Sequence, residues 1–457
     1  MLQLRVCRRS ELSLAVTFLL GASACAAPMT SLPPPRPLGQ GLEAVSVTNL
    51  EESGQPVGEP QGDLTLRDAL AAALRQSPRL ESFAWQLRAD EARTLQAGLL
   101  PNPTLVIEAE NFAGSDDFDA YDAAETTVFL GQLVELGGKR AKRRRIAMLE
   151  RELSGWEYES ARLDVLTQTT QRFVAVLAAQ ERLQLANDLH RVASDFLGAT
   201  RARVRAGAAS SVEEARSKVE LATLEVALAR RAAALEVAKR QLASSWGTTS
   251  PEFSGVEGEL FALRELPGLE RIVAELAQNP DMARWATEKA RRDAAVELAR
   301  ARAIPDVTAG LGVRRFEESD AAALVFALEV PLPLFDRNQG ATAAALAEVS
   351  RTRALTRARQ LELSRLLVAA HAEASSSYEQ ASSLRDTVLP QAESAFESTR
   401  DGYRRGFFRY VDVLDAQRTL FEARGEYVDA LKRYHTATAE LERLVGASIE
   451  NLMERQG

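Results

Sequence analysis

Leucine recurs every seven residues at Leu221, Leu228, Leu235 and Leu242, and about 200 residues later Leu420, Tyr427, Tyr434 and Leu441 occupy the corresponding places. A seven-residue apolar repeat keeps one seam of a helix against a partner helix, whereas the stripe of an ordinary amphipathic helix drifts around the axis. Its occurrence twice predicts packed coiled-coil helices over Val212–Trp246 and Val411–Val445. Two longer helical stretches precede them, Lys139 to about Ala206 and Ala341 to about Arg405, closed by Gly207 and Gly406. At a rise of about 1.5 Å per residue each is roughly 100 Å long. Pro390, inside the second, predicts a local kink. Shorter helical stretches, Leu64–Leu100 and Leu266–Ala303, are broken near their starts by Pro78 and Pro280. Stacked end to end with the last helices, they match the long ones.

A different periodicity separates these helices. Val307, Ala309, Leu311 and Val313 alternate with Thr308, Gly310, Gly312 and Arg314, and Leu324, Phe326, Leu328 and Val330 alternate with Val325, Ala327 and Glu329. An apolar face opposite a small or polar one over about 9–11 residues suits a membrane strand with lipid on one side and water on the other. Strands are expected at Thr104–Phe112, Thr126–Val134, Val307–Phe316 and Ala322–Val330, the run around Phe129 being ambiguous in its facing. Four strands cannot close a barrel, and an open edge in lipid leaves backbone groups unsatisfied. Protomers must therefore share one. Acidic tips, Asp116, Asp117 and Asp119 in one loop and Glu317, Glu318 and Asp320 in the other, suit the extracellular side.

The two halves repeat. Gly207 and Gly406, Gly247 and Gly446, Val212 and Val411, and the acidic pair Glu213 and Asp412 share one spacing near 200 residues, and Pro78 with Pro280 and Pro101 with Pro305 follow at slightly larger ones. Ahead of them, Arg5, Arg8 and Arg9 precede the apolar run Leu12–Leu20 and the small residues Gly21–Ala24, the pattern of a secretory signal peptide. The expected organisation is a signal peptide at 1–24, a Pro-rich tether at 25–62, a first repeat at 63–259 and a second at 260–457. Small residues before Cys25 make that cysteine a candidate for lipidation, with ordinary cleavage nearby as the alternative. Cys7 is the other cysteine, so disulfide scaffolds and Cys-based zinc sites are excluded. A formal charge of −8 on an exported chain argues against nucleic acid, including for the basic run Lys139, Arg140, Lys142, Arg143, Arg144 and Arg145. That run, just below a strand, is read as meeting lipid head groups or as a solvated helix face.

Duplicated halves with two strands each, paired long and short helices, and the segments LLPNPTL from Leu99, YRRGFFRYVDVLDAQ from Tyr403 and PLPLFDRNQG from Pro331 resemble the TolC-like outer-membrane factor family. The last segment is most like its CzcC-type heavy-metal branch. The resemblance implies a mainly α fold with a small membrane β-barrel: a homotrimer with a twelve-stranded barrel in the outer membrane of a Gram-negative bacterium and an α-helical tunnel through the periplasm. It also implies a passive exit duct, not an enzyme and without cofactor. Its partners would be a periplasmic adaptor (membrane fusion protein), an inner-membrane pump and outer-membrane lipid, and its cargo heavy-metal cations such as cobalt, zinc, cadmium or copper. Multidrug or solvent efflux, type I secretion, and a lipid-tethered periplasmic coiled coil without a pore are the alternatives.

By the same resemblance Tyr403, Asp412 and Asp415 form a periplasmic gate, while Gly207, Ser211, Val212, Gly406 and Val411 lie at adaptor-contacting tips. Turn formation by the glycines and helix capping by the aspartates are the competing explanations. Phe408 stands where the family's gate carries an Arg, with Arg409 next to it. His190, His371 and His435 are isolated along the chain, so no metal site is expected.

Overall fold

The computed structural model describes residues 61–449. The expected signal peptide, Cys25 and all of the tether but Gln61 and Gly62 lie outside the described residues. The elements run β1 (Gly62–Thr65), α1 (Leu66–Gln76), α2 (Pro78–Ala97), β2 (Thr104–Glu110), β3 (Glu125–Val134), α3 (Lys139–Arg205) and α4 (Ser211–Ala243). The same order then recurs as β4 (Phe253–Glu257), α5 (Leu269–Glu275), α6 (Pro280–Ala301), β5 (Val307–Phe316), β6 (Ala321–Glu329), α7 (Gln339–Ser383), α8 (Leu389–Arg404) and α9 (Tyr410–Val445).

Local chemistry sets the breaks. Thr65 and Asp68 form a reciprocal capping box at the start of α1, the Thr65 side chain accepting from the Asp68 N–H and the Asp68 carboxylate from the Thr65 N–H. Pro78 and Pro280 sit at the first positions of α2 and α6, where a missing N–H costs nothing. Pro390 acts differently from a sharp kink. A single π-helical turn, Leu384–Val388, joins α7 to α8, and it contains Asp386, whose carbonyl a regular helix would pair with the N–H that Pro390 lacks.

The expected helix at Leu64 begins at Leu66, because Leu64 belongs to a strand that sequence reading missed. β1 and β4 pair in parallel, and Leu64, Phe253 and Val256 are buried with Phe173, Val176, Leu242 and Trp246. The second short helical stretch likewise begins at Leu269 and is interrupted before Pro280. The larger sheet is antiparallel in the order β2-β3-β5-β6. Its register places Leu130 opposite Leu311 and Leu311 opposite Phe326, so Leu105, Ile107, Val128, Leu130, Leu311, Val313 and Phe326 share one face. That face is bare, Leu324 reaching 86% exposure. The opposite face carries Glu108, Glu110, Glu125, Thr127 and Arg314, with Arg314 bonded to Thr127 at 2.9 Å, Glu125 at 2.9 Å and Glu110 at 3.3 Å. Phe129 belongs to this second face and lies across Gly310 and Gly312, which settles its ambiguity. Among the described residues no helix is long and apolar enough to cross a membrane.

The core is a series of apolar clusters strung along the helices, with the α9 seam Leu420, Tyr427, Tyr434 and Leu441 buried throughout. Between clusters a charged knot ties five helices. Arg443 of α9 reaches Asp164 of α3 at 2.7 Å and Asp281 of α6 at 2.9 Å, Arg359 of α7 reaches Asp281 at 3.1 Å, and Arg79 of α2 reaches Asp164 at 2.7 Å.

Candidate functional site: the helical tips and the strand corners

Both hairpin tips close in the same way. At the first, the Ala208 N–H donates to the Arg203 carbonyl and the Gly207 N–H to that of Val204; at the second, Phe407 donates to Gly402 and Gly406 to Tyr403. These paired bonds are Schellman motifs, which need a left-handed residue, and Gly207 and Gly406 have φ of 70° and 85°. A Cβ at either would meet nothing within 4 Å, so the backbone conformation alone requires glycine. Gly207→Ala and Gly406→Ala are each expected to cost about 1–2 kcal/mol, read as hydrogen exchange that quickens only at the altered tip. Exchange unchanged there would reject the assignment.

The tips differ in what stands behind them. Ser210 caps α4 by accepting from the Val212 N–H, and Ser211 and Val212 begin that helix at the surface. In the second tip Tyr403 is 4% exposed, packed with Phe196 and Tyr410 at centroid distances of 5.9 and 6.2 Å. The Arg203 guanidinium lies 4.5 Å over the Tyr403 ring and donates to the carbonyls of Tyr403 and Ala208, joining one tip to the other. Tyr403 is thus set inside the protomer, and the structure does not bring it to the same surface as the two aspartates. Burial raises the pKa of neighbouring Tyr410, only partly offset by its bond to Ser217.

Asp412 and Asp415 start α9. The Asp412 carboxylate accepts from the Arg409 N–H at 2.8 Å and from its guanidinium at 3.3 Å, and the backbone bond first, then the side-chain bond, holds its pKa below the usual carboxylate value. The capping role is therefore real, with Arg409 as its partner one residue beyond Phe408. Asp415, one turn on, is exposed. Phe408 itself lies against Gly402, where a Cβ would run into its ring. Sequence reading missed Arg203, Phe196 and Gly402. Gly402 left a trace, since a glycine inside a helix costs about 1 kcal/mol and implies a close approach.

The basic run is partly internal, which corrects its reading as a lipid-facing or solvated patch. Lys139 is buried against Asp306 at 2.7 Å, Arg143 pairs with Glu135, and Lys142 donates to the Gly137 carbonyl. These contacts fix the corner between β3 and α3. The histidines are far apart in role. His435 is half-buried, which lowers its pKa, and donates to the Leu260 carbonyl, His371 bonds the Pro267 carbonyl, and His190 lies 3.9 Å from Glu225. No group of three metal-ligating side chains occurs among the described residues.

A sheet bare on its apolar face, continued by helices about 100 Å long that end in paired turns, is matched by known proteins. The outer membrane efflux protein family matches over residues 69–248 and again over 272–447. The chain belongs to that family. It is 36% identical over 388 residues to the cobalt-zinc-cadmium resistance protein CzcC of Cupriavidus metallidurans, covering 85% of this chain and 91% of that one. The nickel and cobalt resistance protein CnrC of the same organism is 26% identical over 285 residues, 62% of this chain and 67% of its own. Among solved structures, CusC aligns with a TM-score of 0.70 at 16% identity, covering 84% of this chain and 92% of that one. VceC of Vibrio cholerae aligns with a TM-score of 0.68 at 18% identity, covering 84% and 96%. The protein is an outer-membrane efflux channel that extends into the periplasm, of a family that forms the exit ducts of tripartite systems. Channels of this family form trimers and work with periplasmic adaptors and inner-membrane pumps.

Proposed function

We propose that three copies of this chain, each built from repeats at 63–259 and 260–457, close a twelve-stranded barrel and form the passive exit duct for heavy-metal cations. The observation that carries the barrel is the pairing of a bare apolar face with two open edges, β2 and β6, in one four-stranded sheet. Val219 and Val226, exposed at 68 and 54% with seven-residue spacing on α4, offer further surface for a neighbouring protomer. The cation assignment draws on the metal-resistance relatives and on the inner face of the sheet, where Glu108, Glu110 and Glu125 outnumber Arg314. An inner-membrane pump and a periplasmic adaptor supply the cargo. The adaptor meets the two tips around Gly207, Ser211, Val212, Gly406 and Val411, where Val212 and Val411 are exposed.

Asp412 and Asp415 form two acidic rings at the periplasmic mouth of the trimer, and Tyr403, packed behind them, holds the turn that presents them. Changing both aspartates to alanine should weaken block of single-channel current by divalent cations added on the periplasmic side by roughly tenfold, as expected for removal of paired carboxylates from a pore constriction. Unchanged block would remove them from the gate. In cells, a deletion strain should become sensitive to zinc, cobalt or cadmium and be rescued by the wild-type chain. Sensitivity to dyes and detergents alone would move the cargo to organic compounds.

A further inference from the structure

Pro331 to Phe335, the link between β6 and α7, stands bare, with Leu332, Leu334 and Phe335 exposed at 75, 65 and 92%. The corresponding link in the first half, between β3 and α3, is less exposed, with Leu136 at 39%. It sits on the corner where α6 turns into β5. There the Leu136 N–H donates to the Asp306 carboxylate at 2.9 Å, and a Cβ on Gly137 would lie 3.1 Å from the Ile304 side chain.

The halves can be laid on each other, the link before the long helix being two residues longer in the second. Pro101, Asn102 and Thr104 correspond to Pro305, Asp306 and Thr308. Thr104 lies opposite Gly131 in one hairpin and Thr308 opposite Glu329 in the other, so Leu130 corresponds to Leu328 and Leu136 to Leu334. Gly138 and Asn338, both left-handed at φ 69° and 55°, mark the start of the long helices, two residues later in the second half than the strand register places it. The first-half link rests on a corner supplied by the second half. Among the described residues, no further corner of the same chain lies against the bare link of the second half. Among the described residues nothing covers the first-half corner either, where Leu99 and Leu100 are exposed at 49 and 63%. A second copy of the chain supplies both at once.

We propose that Pro331–Phe335 docks on the Leu99–Asn102 corner of a neighbouring copy, with the Leu334 N–H donating to the Asn102 side-chain oxygen and Phe335 packed over Leu100. The inference rests on the trimer proposed above and adds its seating. The chemistry is consistent with the substitution of residues between the halves. Asn102 keeps the acceptor of Asp306 without its charge, and Gln339 stands at the start of α7 as Lys139 does at that of α3, so the ion pair of the internal corner gives way to two neutral amides. The same correspondence sets the strand register across the joint. Leu130 lies opposite Leu311, so Leu328 falls opposite Ile107 and Phe326 opposite Ala109. Both pairs lie on the bare apolar face, and the belt continues across the joint. A shift by one residue would turn it over.

Cysteine pairs test this. Leu100→Cys combined with Phe335→Cys, in a full-length chain carrying Cys25→Ser, should form covalent dimers and trimers on mild oxidation that disappear on reduction, while each single variant remains monomeric on a denaturing gel. Phe335→Asp should reduce the trimer yield at a fixed protein concentration by roughly tenfold or more, the size expected for loss of a buried aromatic anchor. A trimer measured by native mass in which the pair does not cross-link would overturn the corner contact and leave the trimer standing; Phe335→Cys labelled there by a lipid-soluble maleimide would place that link in the bilayer. Absence of any trimer in the parent protein would instead overturn the reading on which the contact depends.

Discussion

Replacing Arg443 by alanine is expected to lower the stability of the periplasmic helices by about 3–5 kcal/mol, the usual cost of leaving buried charges without their partner. Arg443 is 15% exposed at its side chain and Asp281 10%, and the guanidinium bridges Asp281 and Asp164 on two different helices. Removing it leaves Asp281 with Arg359 and the Ser160 hydroxyl, which donates to it at 2.5 Å, and leaves Asp164 with Arg79 on the surface. Burial pushes the Asp281 carboxyl up, but the Arg443 charge, the Ser160 bond and the Arg443 bond together hold it below the usual carboxylate value. A carboxyl whose folded pKa is depressed adds stability that is complete above its unfolded value of about 4 and is lost as pH falls through the folded one. The gap between wild type and Arg443→Ala should therefore be full at pH 7 and narrow only below about pH 4. Denaturant unfolding followed by tryptophan fluorescence at both pH values checks this. A variant within 1 kcal/mol of wild type at pH 7 would show that Asp164 and Asp281 find other partners. Arg443→Lys should recover part of the loss, because one ammonium cannot serve two carboxylates at the spacing a guanidinium spans.

The long elements were legible because their signals are collective. A heptad sustained over Leu221–Leu242 and again over Leu420–Leu441, and alternation sustained over Val307–Val313, repeat a preference many times. The ends of α3 and α9 fall within one residue of the expected positions for the same reason: Gly207 and Gly446 stop helices by a backbone conformation that few other residues adopt. What sequence reading missed depends on partners distant in the chain. β1 and β4 are four and five residues long, too short to show a period, and each exists through the other and the buried Phe253 and Val256. The charged residues show the same division. Lys139 and Arg143 read as part of an unbroken basic face, because the residues that neutralise them, Asp306 and Glu135, come from a different corner and from the preceding strand end. Tyr403 was placed at the right tip, but its inward facing depends on Phe196 and Arg203 from the other half, and no spacing in the chain announces that contact.

Gly310→Val is expected to prevent the sheet from assembling, with a cost of at least about 3 kcal/mol, at the upper end of what overpacking causes. A Cβ at this position would sit 2.5 Å from the Leu130 carbonyl oxygen and 2.7 Å from an edge carbon of Phe129, and Gly312 is similarly confined by the Val128 carbonyl at 2.6 Å. Two constraints meet here. The Phe129 ring needs a flat floor on the inner face, and the β3 backbone approaches too closely for any side chain to turn aside. The constraints are separable. In Gly310→Ala, adding Phe129→Ala should restore only part of the loss, because it removes the ring and leaves the Leu130 carbonyl in place. Gly340→Ala, in the first turn of α7 with nothing within 4 Å of its Cβ, is the opposite case and should fold at least as fully as the parent. Heat-modifiable gel mobility of the purified protein reads the folded fraction of all four variants. If Gly310→Val folds as fully as Gly340→Ala, β3 and β5 are free to separate at this point, and the alternation that predicted a membrane strand would owe its glycines to some other cause.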